Sequence, residues 1–409
     1  MVARVLALVA LLAACEKRSA LYCDKNPEDL AHCPRTDGEV PVMMCTDNAS
    51  CTTSQRPFCE LGSHVCVGCL SNADCTDPTK LNCDPTALEC RGCVAHSDCP
   101  SSACLPGGVC GDDANVIYVD PAAAANGDGT KTKPVQTIAD ALDLVTATRK
   151  NIKLTGTLDE TVLLMARDVV IVTDPGTKLL GKGDPAVKIN ASQVTAYGLD
   201  IDCSGAMNCL RVESSSTARL YRVNVHDAPK SGVELKDNSY LELDQSTVAG
   251  NFDGIITSAS GTFSITNNFI IHNGSATSAH GGVDIGSSSP ANRFEFNTVA
   301  HNQIKDGLIL AGGITCPLAS SVAVPNNLIV ANTGSLGNAA NCVTTGSPPD
   351  ADAVPYQFKS ITPPYDYHLL GGSKAIDAST ITSTITNDVD GDFRPQGAKK
   401  DLGADEYKP

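Results

Sequence analysis

Ala186-Val187-Lys188-Ile189 is echoed by Cys209-Leu210-Arg211-Val212, Gly232-Val233-Glu234-Leu235, Gly254-Ile255-Ile256-Thr257, Gly282-Val283-Asp284-Ile285 and Gly307-Leu308-Ile309-Leu310. The steps are 23, 23, 22, 28 and 25 residues. Each quartet reads small, apolar, any, apolar, which is the alternation of a short strand with one buried face. A single coil cannot bury that face alone, so a strand returning at this period implies stacked coils. The expected fold is all-β, a parallel solenoid.

A second column runs beside the first. Asn268 and Asn273 return as Asn297 and Asn302, then as Asn327 and Asn332, with mostly apolar residues between them. Asn tolerates left-handed turns, and its amide can bond to the coil above or below. Earlier coils, including Ser246 to Asn251, keep the period but not this asparagine pair. The pattern resembles the right-handed parallel β-helix of the pectin-lyase-like superfamily.

The formal charge is −16, from 30 basic and 46 acidic residues. That balance argues against nucleic acid, which needs a basic footprint. Residues 1–14 read as a signal peptide: Arg4 is basic, and Val5 to Ala14 is apolar but too short to span a bilayer. The stretch ends in Leu12-Ala13-Ala14-Cys15, which resembles a bacterial lipobox. The resemblance implies lipidation of Cys15, a membrane partner held through that lipid, and an extracytoplasmic chain. Glu16 in place of Asp implies the outer membrane or cell surface. Residues 15–44 would form the lipid-anchored linker.

Cysteines agree with export. Of 19, one is the lipid site, which leaves an even number. Residues 45–111 hold three units: Cys45, Cys51, Cys59, Cys66; then Cys69, Cys75, Cys83, Cys90; then Cys93, Cys99, Cys104, Cys110. The third loses four residues in its second half. Cys66-x2-Cys69 and Cys90-x2-Cys93 have zinc-ribbon spacing. They are also joints of a repeat in an oxidising compartment, where such small units depend on disulfides. One pairing set repeated three times is expected, its connectivity open, with Cys203–Cys209 and Cys316–Cys342 paired downstream. The array is similar to Cys-rich repeats of bacterial surface lipoproteins, where it would act as a stalk or interaction module.

Residues 115–347 are the expected β-helix. They open on the strand Val116-Ile117-Tyr118-Val119-Asp120, a loop Asn126-Gly127-Asp128-Gly129-Thr130, and an amphipathic helix from Pro134 to about Lys150. This order resembles the start of many β-helix proteins, and the helix would cap the exposed end of the core. Residues 348–409 carry Ala375-Ile376-Asp377-Ala378, Asp388-Val389-Asp390-Gly391-Asp392-Phe393-Arg394-Pro395 and Asp401-Leu402-Gly403-Ala404-Asp405-Glu406-Tyr407. They look like the terminal module named choice-of-anchor Q.

Lys188, Arg211, Glu234, Ile256, Asp284 and Ile309 are the third positions of the quartets and are expected on one exposed sheet, about 4.8 Å apart. Lys188, Arg211, Glu234 and Asp284 are the candidate binding residues. A β-helix face of this kind is where polysaccharide enzymes of the superfamily bind substrate. Arg211 beside Glu234, and Glu213 beside Lys236, equally make ordinary ladder pairs. Some residues resemble polygalacturonase motifs: Asn251-Phe252-Asp253-Gly254, Ala279-His280-Gly281-Gly282-Val283-Asp284, and a degenerate Gln303-Ile304-Lys305. The resemblance lacks the Asp-Asp rung. Candidate catalytic residues are Asp253, Asp284, Asp306, His280 and Lys305. Asp253 and Asp306, two rungs apart at about 9–10 Å, would reach the upper limit for an inverting carboxylate pair. A lyase would need Ca²⁺ carboxylates and a base, with Lys188, Arg211, Glu234 and Asp284 as candidates. His272 and His301 should stack on neighbouring coils, as polar spacers or a metal pair. Asp388, Asp390 and Asp392 alternate as Ca²⁺ ligands do, or form an Asp-Gly turn closed by Arg394. The expected function is a surface lipoprotein acting in binding or adhesion, its partner a polysaccharide or an envelope protein. A polysaccharide hydrolase or lyase is the alternative, and no cofactor is expected, Ca²⁺ at that turn being the one option.

Overall fold

The structure is a computed structural model that describes residues 45–77, 79–318 and 322–409. Residues 1–44, with the signal peptide, Cys15 and the linker, lie outside it. Among the described residues no helix is long and apolar enough to cross a membrane. Contacts divide the chain into two compact units, one ending at Arg91 and one from Gly92 onward.

In the first unit each cysteine repeat is a 3-10 turn followed by a hairpin. Asn48–Ser50 precedes the strands Phe58–Glu60 and Val65–Val67, and Asn72–Asp74 precedes Asn82–Cys83 and Cys90–Arg91. The first cysteine pairs with the third and the second with the fourth: Cys45–Cys59, Cys51–Cys66, Cys69–Cys83 and Cys75–Cys90. Asn48 Oδ1 accepts from Cys59 N, and Asn72 Oδ1 from Cys83 N, both at 2.8 Å.

The third repeat, in the second unit, keeps the pairing as Cys93–Cys104 and Cys99–Cys110. The four missing residues tighten its hairpin around Gly107 and Gly108, both at positive φ. His96 takes the asparagine's place. Its Nδ1 accepts from Cys104 N at 3.0 Å, while its Nε2 meets Thr173 O of the solenoid at 2.9 Å.

Three parallel sheets of eight strands each form the solenoid. The first runs through Val162–Met165, Val187–Asn190, Leu210–Glu213, Ser231–Leu235, Asp253–Thr257, Val283–Ile285, Ile314–Thr315 and Ala339–Ala340. The second begins with Val116–Val119 and Asn151–Leu154, and ends with Arg293–Glu295. The third spans Thr157–Glu160 to Leu328–Val330. The inward residues of every coil, such as Val187, Ile189, Leu210, Val212, Val233 and Leu235, join one continuous core. Cys203–Cys209 and Cys316–Cys342 are paired within it.

The last quartet differs from the expectation. Val283 pairs with Ile314 and Asp284 with Thr315, so the sixth rung is Gly313-Ile314-Thr315-Cys316. Gly307-Leu308-Ile309-Leu310 is a widened turn, and Ile309 is exposed. A small-apolar quartet inside a turn insertion mimicked the strand.

The helix, α1, spans Ile138–Asp143 only. Thr137 caps it by accepting from Asp140 N, and Glu160 accepts from the free N–H groups of Ile138 and Ala139. This is where a helix needs acceptors. Ile138, Ala141 and Leu142 close the first coil, as a cap should. The run to Lys150 is cut short because the chain must reverse into Asn151–Leu154. Thr146 and Arg149 close that turn, and Arg149 Nε binds Val116 O.

The asparagine columns are continuous. Asn251, Asn273, Asn302 and Asn332 each donate from Nδ2 to the Oδ1 of the next, ending on Asn338, at 2.9–3.0 Å. Asn268 donates to Asn297 and Asn297 to Asn327 in the same way. Ser246 and Asn251 therefore belong to the columns, as Ser246 N donates to Asn268 Oδ1. The left-handed residue is not the column asparagine but the one before it: Asn267, Phe296 and Asn326 in one column, His272 and His301 in the other.

The C-terminal segment packs on the outer face of the third sheet. Phe269, Ile271, Ala300, Leu328 and Val330 meet Tyr356, Phe358, Tyr367, Leu369, Leu402 and Ala404 in a second core. Arg394, fully buried, pairs with Glu406 at 3.0 Å, and its guanidinium also donates to the carbonyls of Gly403, Ala404 and Asn387.

Candidate functional site

On the outer face of the first sheet, parallel pairing places Lys188, Arg211, Glu234, Ile256, Asp284 and Thr315 on successive rungs. Thr315 stands where Ile309 was expected, and Ile256 breaks the charged column in two.

The charges on the first half are committed to one another. Lys188 Nζ lies 2.7 Å from Glu213, and Arg211 Nε 2.6 Å from Glu234. The expected Glu213–Lys236 pair is replaced: Lys236 turns to Glu234 at 3.5 Å, while Glu213 takes Lys188 and Asn190. Burial alone would raise the Glu213 carboxyl, but Lys188 and Asn190 bring it below the usual range. Asp184 joins from the preceding turn. It accepts from Asn208 Nδ2 at 2.5 Å, which holds its carboxyl low, and lies 3.9 Å from Arg211. The Arg211 and Glu234 side chains are 18% and 13% exposed, so this is a packed network rather than a loose rim.

The second half gathers three of the catalytic candidates. Asp253 Oδ1 accepts from His280 N at 3.0 Å. His280 Nδ1 lies 2.7 Å from Asp284 Oδ2, close but poorly aligned for a hydrogen bond. Burial holds the Asp253 carboxyl above its usual range, and the charges of Asp284 and Glu234 push the same way. Asp284 in turn holds the His280 imidazole above its ordinary value. A half-buried carboxyl whose proton affinity is raised, beside an Asp–His pair, has the makings of an acid.

Asp306 and Lys305 do not join them. Both are exposed in the widened turn, and Gly312, not Asp306, lies against Gly282 on the next coil. Asp306 therefore does not occupy the ladder position two rungs from Asp253. The insertion that displaced the sixth quartet displaced this carboxylate with it.

Turns between the third and first sheets are short in the early coils. They widen at 272–282, 301–313 and 331–338, where Gly274, Gln303 and Thr333 bridge coil to coil as a low wall. His280 lies in the first of these widened turns, and Asp253 accepts from its N–H.

His272 and His301 stack as expected, with ring centroids 5.2 Å apart. Tyr367 Oη bridges His272 Nε2 at 2.8 Å and His301 Nδ1 at 2.6 Å, and Tyr365 stacks on His272 at 3.8 Å. Burial pushes His301 down, and burial with the neighbouring ring pushes His272 down to about 4. The pair docks the C-terminal segment. Asp388 is buried and organises its turn, accepting from the amides of Asp390, Asp392 and Glu406. Asp390 faces His368, and Asp392 meets Lys408. The three aspartates of the proposed Ca²⁺ set thus have separate partners.

Two features escaped the sequence reading. His226 sits between Asp200 at 3.0 Å and Asp227 at 2.7 Å, which push its imidazole up to about 9. The coil period carried a signal here, because Asp202 and His226 share a ladder position. The second is a groove of about 360 Å³ between the third sheet and the C-terminal segment, lined by Arg222, Asn224, Thr247, Phe269, His368 and Asp390 among others. No periodicity marks it, since one wall lies outside the repeats.

No curated protein matches the sequence. Among solved structures, one similar to the chain is described as the crystal structure of pectate lyase Pel9A. It is 15% identical, with a TM-score of 0.40 over 72% of this chain and 96% of that one. Residues 189–348 match the family model described as the right handed beta helix region. The solenoid of the second unit is accordingly a right-handed parallel β-helix, closed at its start by α1.

Proposed function

We propose that this protein is an extracytoplasmic binding module, tethered through Cys15, that presents the first sheet to a polysaccharide or an envelope protein. One observation carries the reading: each cation of the upper face already has its carboxylate, in the Lys188–Glu213, Arg211–Glu234 and Lys236–Glu234 pairs. Such a face offers a fixed pattern of paired charge. Pairing of these three cations counts against a free base of the kind a lyase requires, and the displaced register of Asp306 counts against the carboxylate pair a hydrolase would draw from it.

A second reading, a polysaccharide hydrolase, is favoured by the Asp253–His280–Asp284 group. The test is a panel of acidic and neutral polysaccharides, scored for retention and for reducing-end release. Retention without release is the expected outcome. Release by the wild type that disappears in Asp253→Asn or Asp284→Asn would establish the hydrolase instead. The tether is tested by Cys15→Ser, which should move the protein out of the membrane fraction, because one lipid-modified residue is its only proposed anchor. A variant that stays in the membrane fraction would refute the tether.

A further inference from the structure

His368 lies on the strand Asp366–Leu369. Its Nδ1 is 2.5 Å from Asp366 Oδ1. Its Nε2 is buried and makes no hydrogen bond; Asp390 Oδ2 is 3.1 Å away but out of line. Asp405, buried, approaches the same point while its Oδ2 accepts from Leu369 N at 2.6 Å. One ligand atom each from His368, Asp390 and Asp405 lies within 4.8 Å of the other two.

We propose that His368, Asp390 and Asp405 form a binding site for a divalent transition-metal ion of the zinc class, open to the groove between the third sheet and the C-terminal segment. The site is independent of the first-sheet reading.

Three arguments support it. A metal-bound imidazole ordinarily gives its other N–H to a carboxylate, which fixes the ring and leaves one lone pair for the ion. Asp366 and the unbonded Nε2 reproduce that arrangement. Next, the buried Asp405 and the more exposed Asp390 each bring a carboxylate oxygen to within 4.8 Å of the His368 ring nitrogen and of each other. Finally, three protein ligands leave a coordination position for water or an outside oxygen ligand. The groove of about 360 Å³ is lined by both His368 and Asp390 and has the size of ordinary ligand pockets. Bonds of about 2.0–2.2 Å require the ligands to close slightly. Asp390, whose side chain is 55% exposed, can swing to do so.

Two other histidine clusters have no open ring nitrogen of this kind. Both nitrogens of His226 are taken by carboxylates, and His272 and His301 share the Tyr367 hydroxyl. The cysteines among the described residues are all in disulfides and offer no thiolate.

The experiment is calorimetric titration of Zn²⁺ into the solubilised, chelator-stripped full chain, with Co²⁺ absorption as a second readout. One ion per chain is expected. His368→Ala and Asp390→Ala should each weaken binding at least about tenfold, and Asp366→Asn by about tenfold to a hundredfold as an orienting partner. His226→Ala should leave it unchanged. Asp390→Ala removes only an exposed side chain, and an unshifted Tm in chelator verifies its fold, so it decides the matter if His368→Ala fails to fold. Absence of stoichiometric uptake by the wild type, uptake that survives Asp390→Ala, or loss confined to His226→Ala would overturn the site.

Discussion

His226 and His272 set opposite limits on stability. His226 gains two carboxylates on folding, and its pKa rises from the ordinary 6.5 to about 9. Its contribution is complete below pH 6.5 and is lost as pH rises through about 9. His272 is folded neutral and pushed down to about 4, so its contribution is present above 6.5 and lost as pH falls toward 4. Thermal melts across pH should therefore fall away on both sides of pH 6.5. His226→Gln should flatten the alkaline side, by on the order of 3 kcal/mol at most, and leave the acid side alone. An unchanged alkaline slope would show that the two aspartates do not hold an imidazolium. Arg394 is a second residue with a large expected effect. Removing it as Arg394→Ala leaves Glu406, 1% exposed, as a lone buried charge, at a cost of about 3–5 kcal/mol in denaturant unfolding. Single-residue roles were the least legible level of the sequence. Asp306 looked equivalent to Asp253 because spacing along the chain stood in for register. His368 stood in no motif, Asp405 was read only as part of the terminal module, and the two are 37 residues apart outside the repeats.

Strands and columns were read more surely than single positions, since each is stated several times over. Asn268, Asn297 and Asn327 could be recognised because each coil repeats the same demand for a buried amide. Ser246 fills the same position with a hydroxyl, and a search for identical residues passes over that equivalence. The end of α1 was misplaced for a related reason: Leu144 and Val145 continue the apolar pattern, while the turn at Thr146 and Arg149 is fixed by contacts distant in sequence. The columns should be costly to interrupt. Asn302→Ala removes bonds to Asn273 N, Asn273 Nδ2, Ile270 O and Asn332 Oδ1, all buried. It should destabilise by about 3 kcal/mol or more. Ser192→Ala, at an earlier corner with fewer amide partners, should cost about 1 kcal/mol. Comparable losses in chemical denaturation would mean that the amide stack has no special weight.

At the scale of the molecule, the two units rely on different sources of stability. The described buried residues of the first unit are mainly cysteines, Cys45, Cys59, Cys69 and Cys75, with Val67 and Asn82. The second unit has a core that continues through every coil. Mild reduction should therefore expose residues 45–91 to protease while the solenoid, despite its own disulfides, retains its β-sheet circular dichroism and resists cleavage. Simultaneous loss of both would show that the solenoid too depends on its sulfur bridges. The disulfide-rich region and the solenoid were visible because each has its own composition and period. The packing of that last segment along the solenoid's flank was not, because Phe269, Ile271, Ala300, Leu328 and Val330 read as ordinary strand residues. The asparagine columns have one more consequence. Every link between their amides points the same way, with nitrogen reaching toward the later coil, so each stack is a one-way relay of donors. A relay of this kind cannot stop at an arbitrary coil; it must be received by an oxygen that asks for nothing further along. Ser347 Oγ receives Asn327 N, and Asp350 O receives Asn338 Nδ2. Both receivers lie just past the last complete coil, so a chain cut ahead of Ser347 would take away the acceptors of Asn327 N and Asn338 Nδ2 and leave the far end of each stack with an unanswered donor.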